Sequence, residues 1–332
     1  MKSANTWSTQ DFRRQGGLVL EALGRFVDES ILGQGTVVNL ESVEALADSM
    51  DLNGLLSGEM ISDAKLESFL QAFLQGATKL HHPAYLAHQI ALPHYASALG
   101  DLISGVLNNG MSVYEMGPSA GAIEVAVIDW LLAKVGWEPT GRNSGNPPAP
   151  GSIPGGGVLT HGGSLANLTC LLAARAAMAP EAWEKGGNQD LVVVAPTTAH
   201  YSLSRAVATM GLGTKSLVEA PSDGLGRIVP EELPDLFGKI TSSGKRVMAV
   251  YASACATATG LYDPLQEVGA FCQENGLWFH VDGAHVAYAL LDHAEAPSLS
   301  GVTMDDSMVW DALKLLQSSA LCAADLFREG RR

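Results

Sequence analysis

From about residue 157 onward the apolar residues of this chain change their period. Short β-branched or apolar runs at residues 157–160, 191–195, 247–251, 277–281 and 308–310 alternate with helical spacing at residues 165–178, 202–210 and 264–275. Single strands that take turns with helices are the pattern of an α/β fold, a parallel or mostly parallel sheet covered by helices. Functional residues of such folds collect at the carboxyl ends of the strands, so the residues just after each run carry the candidate chemistry.

The chain before this region reads differently. From Trp7 to about Leu80 apolar residues recur at helical spacing (Leu18, Leu20, Leu23, Phe26, Val27; then Leu66, Phe69, Leu70, Phe73, Leu74), with expected breaks near Gly33 and Gly54. Residues 123–135 read as a buried amphipathic helix, and the Pro/Gly-dense residues 141–157 as a loop. The expected organisation is a helical segment over residues 1–80 and a larger α/β domain over residues 81–332, with no repeat at a fixed period.

A chain of 332 residues with 47% hydrophobic and 17% charged residues has ample material for a large core, which excludes wholesale disorder. A net charge of −15 repels phosphate backbones and anionic membranes, so neither nucleic acid nor a membrane is an expected partner. Cys170, Cys255, Cys272 and Cys322 form no C-x-x-C pair, which argues against a zinc knuckle or a disulfide framework and for a reducing cytoplasm. The first residues lack an apolar signal core, and the most hydrophobic stretch, residues 122–135, is interrupted by Glu124, Asp129 and Lys134.

Four strand-end segments carry candidate chemistry. In THGGSLANL, Gly162 and Gly163 allow close backbone approach and Ser164 can cap the following helix; the segment reads either as an anion site or as a plain N-cap. In LWFHVDGAH, Asp282 ends an apolar strand. It reads as an acid paired with a cation, as a loop acid, or as a metal ligand with His280 and His285, although no further ligand cluster supports a metal. Lys314 in WDALK reads as a carbonyl nucleophile or as a lysine extending to solvent. His200 in AHYS reads as a ring-stacking group, a base or a satisfied loop histidine.

Their order is more informative than any one of them. An anion-binding helix start, a histidine, a strand-end aspartate and, 32 residues later, a lysine are the parts pyridoxal phosphate needs: a phosphate cradle, a ring cover, a partner for the pyridine nitrogen and an amine for the aldehyde. The chain then resembles the group II pyridoxal-phosphate-dependent decarboxylases, over residues 81–328. The motifs are HPAYLAHQ, NNGMSVYEMGPSAGAIE, THGGSLANLTCLLAAR, AHYSLSRA, TGLYDPL, LWFHVDGAH and SMVWDALK. The wording of NNGMSVYEMGP, HGGSLANL and HVDGAH is similar to the bacterial diaminobutyrate decarboxylase-like branch.

The resemblance implies a fold type I transferase architecture with helices on both faces of the sheet and a helical N-terminal extension; the family's small C-terminal domain is expected to be absent, because only 18 residues follow Lys314. It implies that Lys314 carries the cofactor, Asp282 pairs with the pyridine nitrogen, His200 stacks on the ring, Gly163 and Ser164 cradle the phosphate, Ala284 packs under the ring and Thr257 joins the site. His82, Tyr85, His88 and Gln89 fall in the segment that lines the substrate pocket. The implied activity is decarboxylation of a diaminobutyrate- or glutamate-like L-amino acid in a cytoplasmic homodimer, with no metal. The alternative is an impaired homologue that retains only cofactor binding. Three departures motivate it: Leu313 where the family has a phosphate-contacting histidine, Val286 where the branch has glycine, and only 18 residues after Lys314, where the family continues through a mobile loop and a further domain.

Overall fold

The computed structural model describes residues 7–56, 62–86, 89–142, 148–186, 189–292, 294–319 and 322–330. It divides into two compact units, Met1–Leu92 and Pro93–Arg332.

The first unit is helical: α1 (Thr9–Ile31), α2 (Val43–Ser49), α3 (Leu52–Leu56) and α4 (Asp63–Gly76). Ser8, Ser42 and Ser62 cap α1, α2 and α4, each hydroxyl accepting a first-turn N–H. The expected break at Gly33 is present, directly after α1. The break expected near Gly54 falls three residues earlier, between α2 and α3, while Gly54 itself lies inside α3 and donates its N–H to the Asp51 carboxylate at 3.2 Å. Asp51 makes the turn itself, at φ 49°.

The second unit holds α5 (Tyr95–Leu107), α6 (Pro118–Val135), α7 (Gly163–Met178), α8 (Ala182–Lys185), α9 (Ser202–Thr209), α10 (Leu233–Ser242) and α11 (Leu265–Asn275). Its strands are β1 (Gly156–Thr160), β2 (Leu191–Ala195), β3 (Leu217–Glu219), β4 (Arg246–Ser253), β5 (Trp278–Asp282), β6 (Ser307–Asp311) and β7 (Ala323–Phe327). They form one sheet in the order β1-β7-β6-β5-β4-β2-β3. β7 runs antiparallel to both of its neighbours, and the other pairs are parallel. The fold is the mostly parallel α/β class that the period change implies. Gly156, expected in the loop, instead begins β1 one residue before the expected strand start at Gly157; an edge strand with one partner tolerates glycine where a central strand would not. Residues 143–147 of that expected loop lie outside the described residues.

Alternation along the strands sorts the core into two layers. Val192, Val194, Phe279, Val281, Met308 and Trp310 pack with Leu131 and Leu132 of α6, Ile240 of α10 and Val268 of α11. Leu191, Val193, Tyr251 and Trp278 pack on the other face with Leu171 and Ala174 of α7 and with Leu203 and Val207 of α9. On β5 the same alternation puts His280 and Asp282 on the Trp278 side, toward α7. The buried stripe of α7 itself (Ala166, Asn167, Cys170, Leu171, Ala174) has helical spacing and includes one polar residue, Asn167. Polar chemistry therefore sits between α7 and the sheet, at the carboxyl ends of the parallel strands.

Candidate active site

A cavity of about 240 Å³ opens at those strand ends. Its walls include the turn before α7 (His161, Gly162, Gly163, Ser164), His200 before α9, Thr257 after β4, Asp282 and Ala284 after β5, and Lys314 after β6. Six of these are residues singled out from the sequence for the cofactor, besides Gly163. His82, Tyr85 and Gln89 belong to the first unit, and His88 lies outside the described residues.

The turn into α7 depends on glycine. Gly162 has φ 86° and ψ 162°, a conformation that penalises any side chain, and a Cβ on Gly163 would meet that of Ala284 at 3.3 Å. Ser164 is not the cap expected of it: the helix starts at Gly163, its N-cap is Gly162, and no side chain caps it. With the cap position lacking a side chain, the first turn keeps its N-terminal dipole open to an anion.

Asp282 is buried and charged. Its Oδ2 accepts the Tyr251 hydroxyl at 2.7 Å and the Asn167 amide at 2.9 Å, and its Oδ1 accepts the Ala284 N–H at 3.0 Å. Burial opposes the charge, but these hydrogen bonds and the Lys314 ammonium outweigh it, so the carboxyl sits below its ordinary pKa. Tyr251 is affected in the opposite direction, since burial and the Asp282 charge hold its phenol well above the usual value.

Burial disfavours the charged form of His200, His285 and His280. Burial lowers His200, and the Lys314 and Arg205 charges add to this against the pull of Asp282. Burial lowers His285 too, and its Nδ1 is a buried atom on the cavity wall without a protein partner. His280 is fully buried and its pKa falls to about 4. A metal held by His280, Asp282 and His285 does not fit this arrangement. Both ring nitrogens of His280 are engaged, with Ser307 Oγ at 2.9 Å and Asn167 Oδ1 at 2.8 Å, and no metal-competent cluster occurs among the described residues.

Sequence reading missed Tyr251, Asn167, Ser202 and Asp311. Asn167 and Ser202 lie inside the quoted motifs, and helical spacing alone puts Asn167 one turn past Gly163 on the sheet-facing stripe of α7. Tyr251 reads as one more apolar residue of a strand. Asp311 ends β6, and burial raises its carboxyl despite the nearby Lys314.

Comparison with known proteins gives the same family from sequence and from fold. The pyridoxal-dependent decarboxylase conserved domain matches residues 60–332. Acidic amino acid decarboxylase GADL1 of Mus musculus is 28% identical over 95% of this chain and 56% of its own length. Cysteine sulfinic acid decarboxylase of Mus musculus is 31% identical over 94% of this chain and 61% of its own. The solved structure of mouse CSAD in apo form superposes with a TM-score of 0.82 at 29% identity, covering 94% of this chain and 64% of that one. The chain thus spans about three fifths of the length of the curated relatives it matches. On the domain match and these likenesses, the chain belongs to the pyridoxal-dependent decarboxylase family.

Proposed function

We propose that the cavity holds pyridoxal phosphate on Lys314, and that the chain is the cofactor-binding core of a decarboxylase acting on an acidic L-amino acid. One observation carries this reading: Asp282 is a buried charged carboxylate whose hydrogen-bond partners are all neutral donors, in one cavity with an amine and an uncapped helix N-terminus. A carboxylate so placed is matched by a protonated pyridine nitrogen, a cationic donor where its hydrogen-bond partners in the protein are all neutral. The remaining walls fit the same ligand. The Gly162–Gly163 turn leaves room that a Cβ would fill, and His285 Nδ1 offers a polar atom that no protein group satisfies.

When bound, the cofactor supplies an aldehyde for an amine and a ring that accepts electrons. Lys314 would hold it through its side-chain amine. Asp282 keeps a proton on the ring nitrogen, which preserves the electron-accepting character of the ring. The first turn of α7 and the Ser164 hydroxyl would bind the phosphate, and His200 and Ala284, on the same cavity wall, would pack against the ring. Thr257 borders the same cavity.

An acidic substrate is favoured by the relatives named for acidic amino acids and cysteine sulfinate. The diaminobutyrate decarboxylase of Acinetobacter baumannii, 25% identical, supplies the competing class. Helix α5 buries none of its residues and exposes Tyr95, Leu99, Ile103 and Leu107 at four-residue spacing, a stripe suited to a second copy of the chain, so the working form is a homodimer. Four free cysteines, and the absence of a membrane-crossing helix among the described residues, support a cytoplasmic setting.

The test is carbon dioxide release by cofactor-loaded protein from glutamate, aspartate, cysteine sulfinate and diaminobutyrate. Release from the acidic substrates supports the reading. Release from diaminobutyrate alone reassigns the substrate, and cofactor binding without release from any of them contradicts decarboxylation.

A further inference from the structure

A connected run of hydrogen bonds links Trp278, deep in the core, to two polar groups of the cavity wall, Asp282 and His200. Its proton positions follow from the chemistry of the atoms. The charged Asp282 Oδ2 only accepts, so the Asn167 atom 2.9 Å away is the amide nitrogen. Asn167 Oδ1 then accepts, and its partner at 2.8 Å, His280 Nε2, carries the ring proton. A neutral imidazole has one proton, so His280 Nδ1 accepts from the Ser307 hydroxyl at 2.9 Å, and Ser307 Oγ accepts the Trp278 indole N–H at 2.8 Å.

The second branch is equally determined. The other proton of the Asn167 amide goes to Ser202 Oγ at 3.0 Å. The Ser202 hydroxyl is left to donate to His200 Nδ1 at 2.8 Å, which also accepts the Ser202 N–H at 3.3 Å. His200 therefore carries its proton on Nε2. Asn167 is 1% exposed and its side chain bonds to both branches, so its amide orientation sets the carboxylate and the imidazole together.

We propose that Asn167 is the positioning residue of this site: oriented by His280, its amide holds the Asp282 carboxylate directly and fixes the tautomer of His200 through Ser202. His280 is a strut, held between Asn167 and Ser307, rather than a base. The charged groups acting on His200 are Asp282 from β5, Lys314 from the loop after β6 and Arg205 from α9, and they remain in place when Asn167 or Ser202 is replaced.

The proposal rests on the cofactor reading for only one of its two readouts. The first uses cofactor-free protein with 15N-labelled histidine, in which ring nitrogen shifts report tautomer and titration. Wild type is expected to show His200 and His280 as Nε2–H tautomers, with His280 not titrating between pH 5 and 8; the His280→Gln spectrum assigns its signals. Both Asn167→Ala and Ser202→Ala are expected to convert His200 to a mixture of tautomers. The second readout adds pyridoxal phosphate labelled with 15N in its ring. Asn167→Ala is expected to shift the ring nitrogen signal and weaken cofactor binding roughly tenfold to a hundredfold, the loss typical of outer partners of a liganding group, whereas Ser202→Ala leaves the ring nitrogen where it was.

A wild-type His280 protonated on Nδ1 overturns the proposal, as does an Asn167→Ala protein with both His200 and the ring nitrogen unmoved. If Asn167→Ala does not fold, the wild-type tautomers and the Ser202→Ala response decide. Failure to bind the cofactor at all contradicts the site reading and leaves the histidine readout to judge Asn167.

Discussion

Tyr251 on β4 stands opposite His280 in the parallel register but sends its hydroxyl diagonally to Asp282 Oδ2, 2.7 Å away, one strand over. The bond ties the end of β5 to the middle of β4 and supplies one of the three donors that keep the carboxylate charged. Tyr251→Phe removes that donor and leaves the packing unchanged. A hydrogen bond to a charged group contributes roughly 1.5–3 kcal/mol, so the variant should lose about that much stability at neutral pH. Urea midpoints of the two proteins check this.

Asp282→Asn replaces the charge with an isosteric amide. The site should still accept the cofactor, because Lys314 and the α7 turn are untouched, but turnover should fall by roughly 100-fold or more, as when one preorganised electrostatic group is removed from an active site. Equal turnover by Asp282→Asn and wild type would remove Asp282 from the mechanism.

His280 makes a prediction about acid stability. Its folded pKa of about 4 lies below the ordinary value of 6.5, so between these values the unfolded chain binds more protons than the folded one. Stability must therefore fall as pH drops from 6.5 toward 4, by roughly 3 kcal/mol from this residue. His280→Gln keeps a donor toward Asn167 but does not titrate. Its stability should lack that component, which denaturant titrations at pH 7, 5.5 and 4.5 would reveal.

Asp325 has the opposite sign. Burial raises its carboxyl to about 7, against hydrogen bonds from Thr160 and Thr169, so the folded chain is the better proton binder between 3.8 and 7. Its contribution is intact at low pH and is lost as pH rises through 7. Asp325→Asn keeps an acceptor for Thr160, which lies 3.1 Å from Asp325 Oδ1. The variant should be more stable than wild type by roughly 4 kcal/mol at pH 8, with the difference vanishing near pH 4.

How much of this was legible in the sequence depended on whether a residue's neighbours were local. β2 was read to its exact bounds because five consecutive buried apolar residues admit few other structures. β7 was missed because AADLF carries an acid at its centre, and Asp325 is tolerated there through Thr160 and Thr169, 165 and 156 positions away. β3 has three residues, too few for a period. The strand-end positions of Asp282, His200 and Lys314 followed from the alternation of strands and helices, and their shared cavity agrees with the order in which they occur. Asn167 and Tyr251 could not be found that way, since their importance comes from contacts with Asp282 across 115 and 31 residues.

The central claim is that Lys314 holds pyridoxal phosphate beside Asp282. Its most direct measurement is the visible absorbance of purified protein titrated with the cofactor, followed by borohydride reduction and identification of the modified peptide. The account predicts a saturable band for wild type, with the label on Lys314 and no band in Lys314→Ala. A wild-type protein with no band at saturating cofactor, or a label on another lysine, would contradict it.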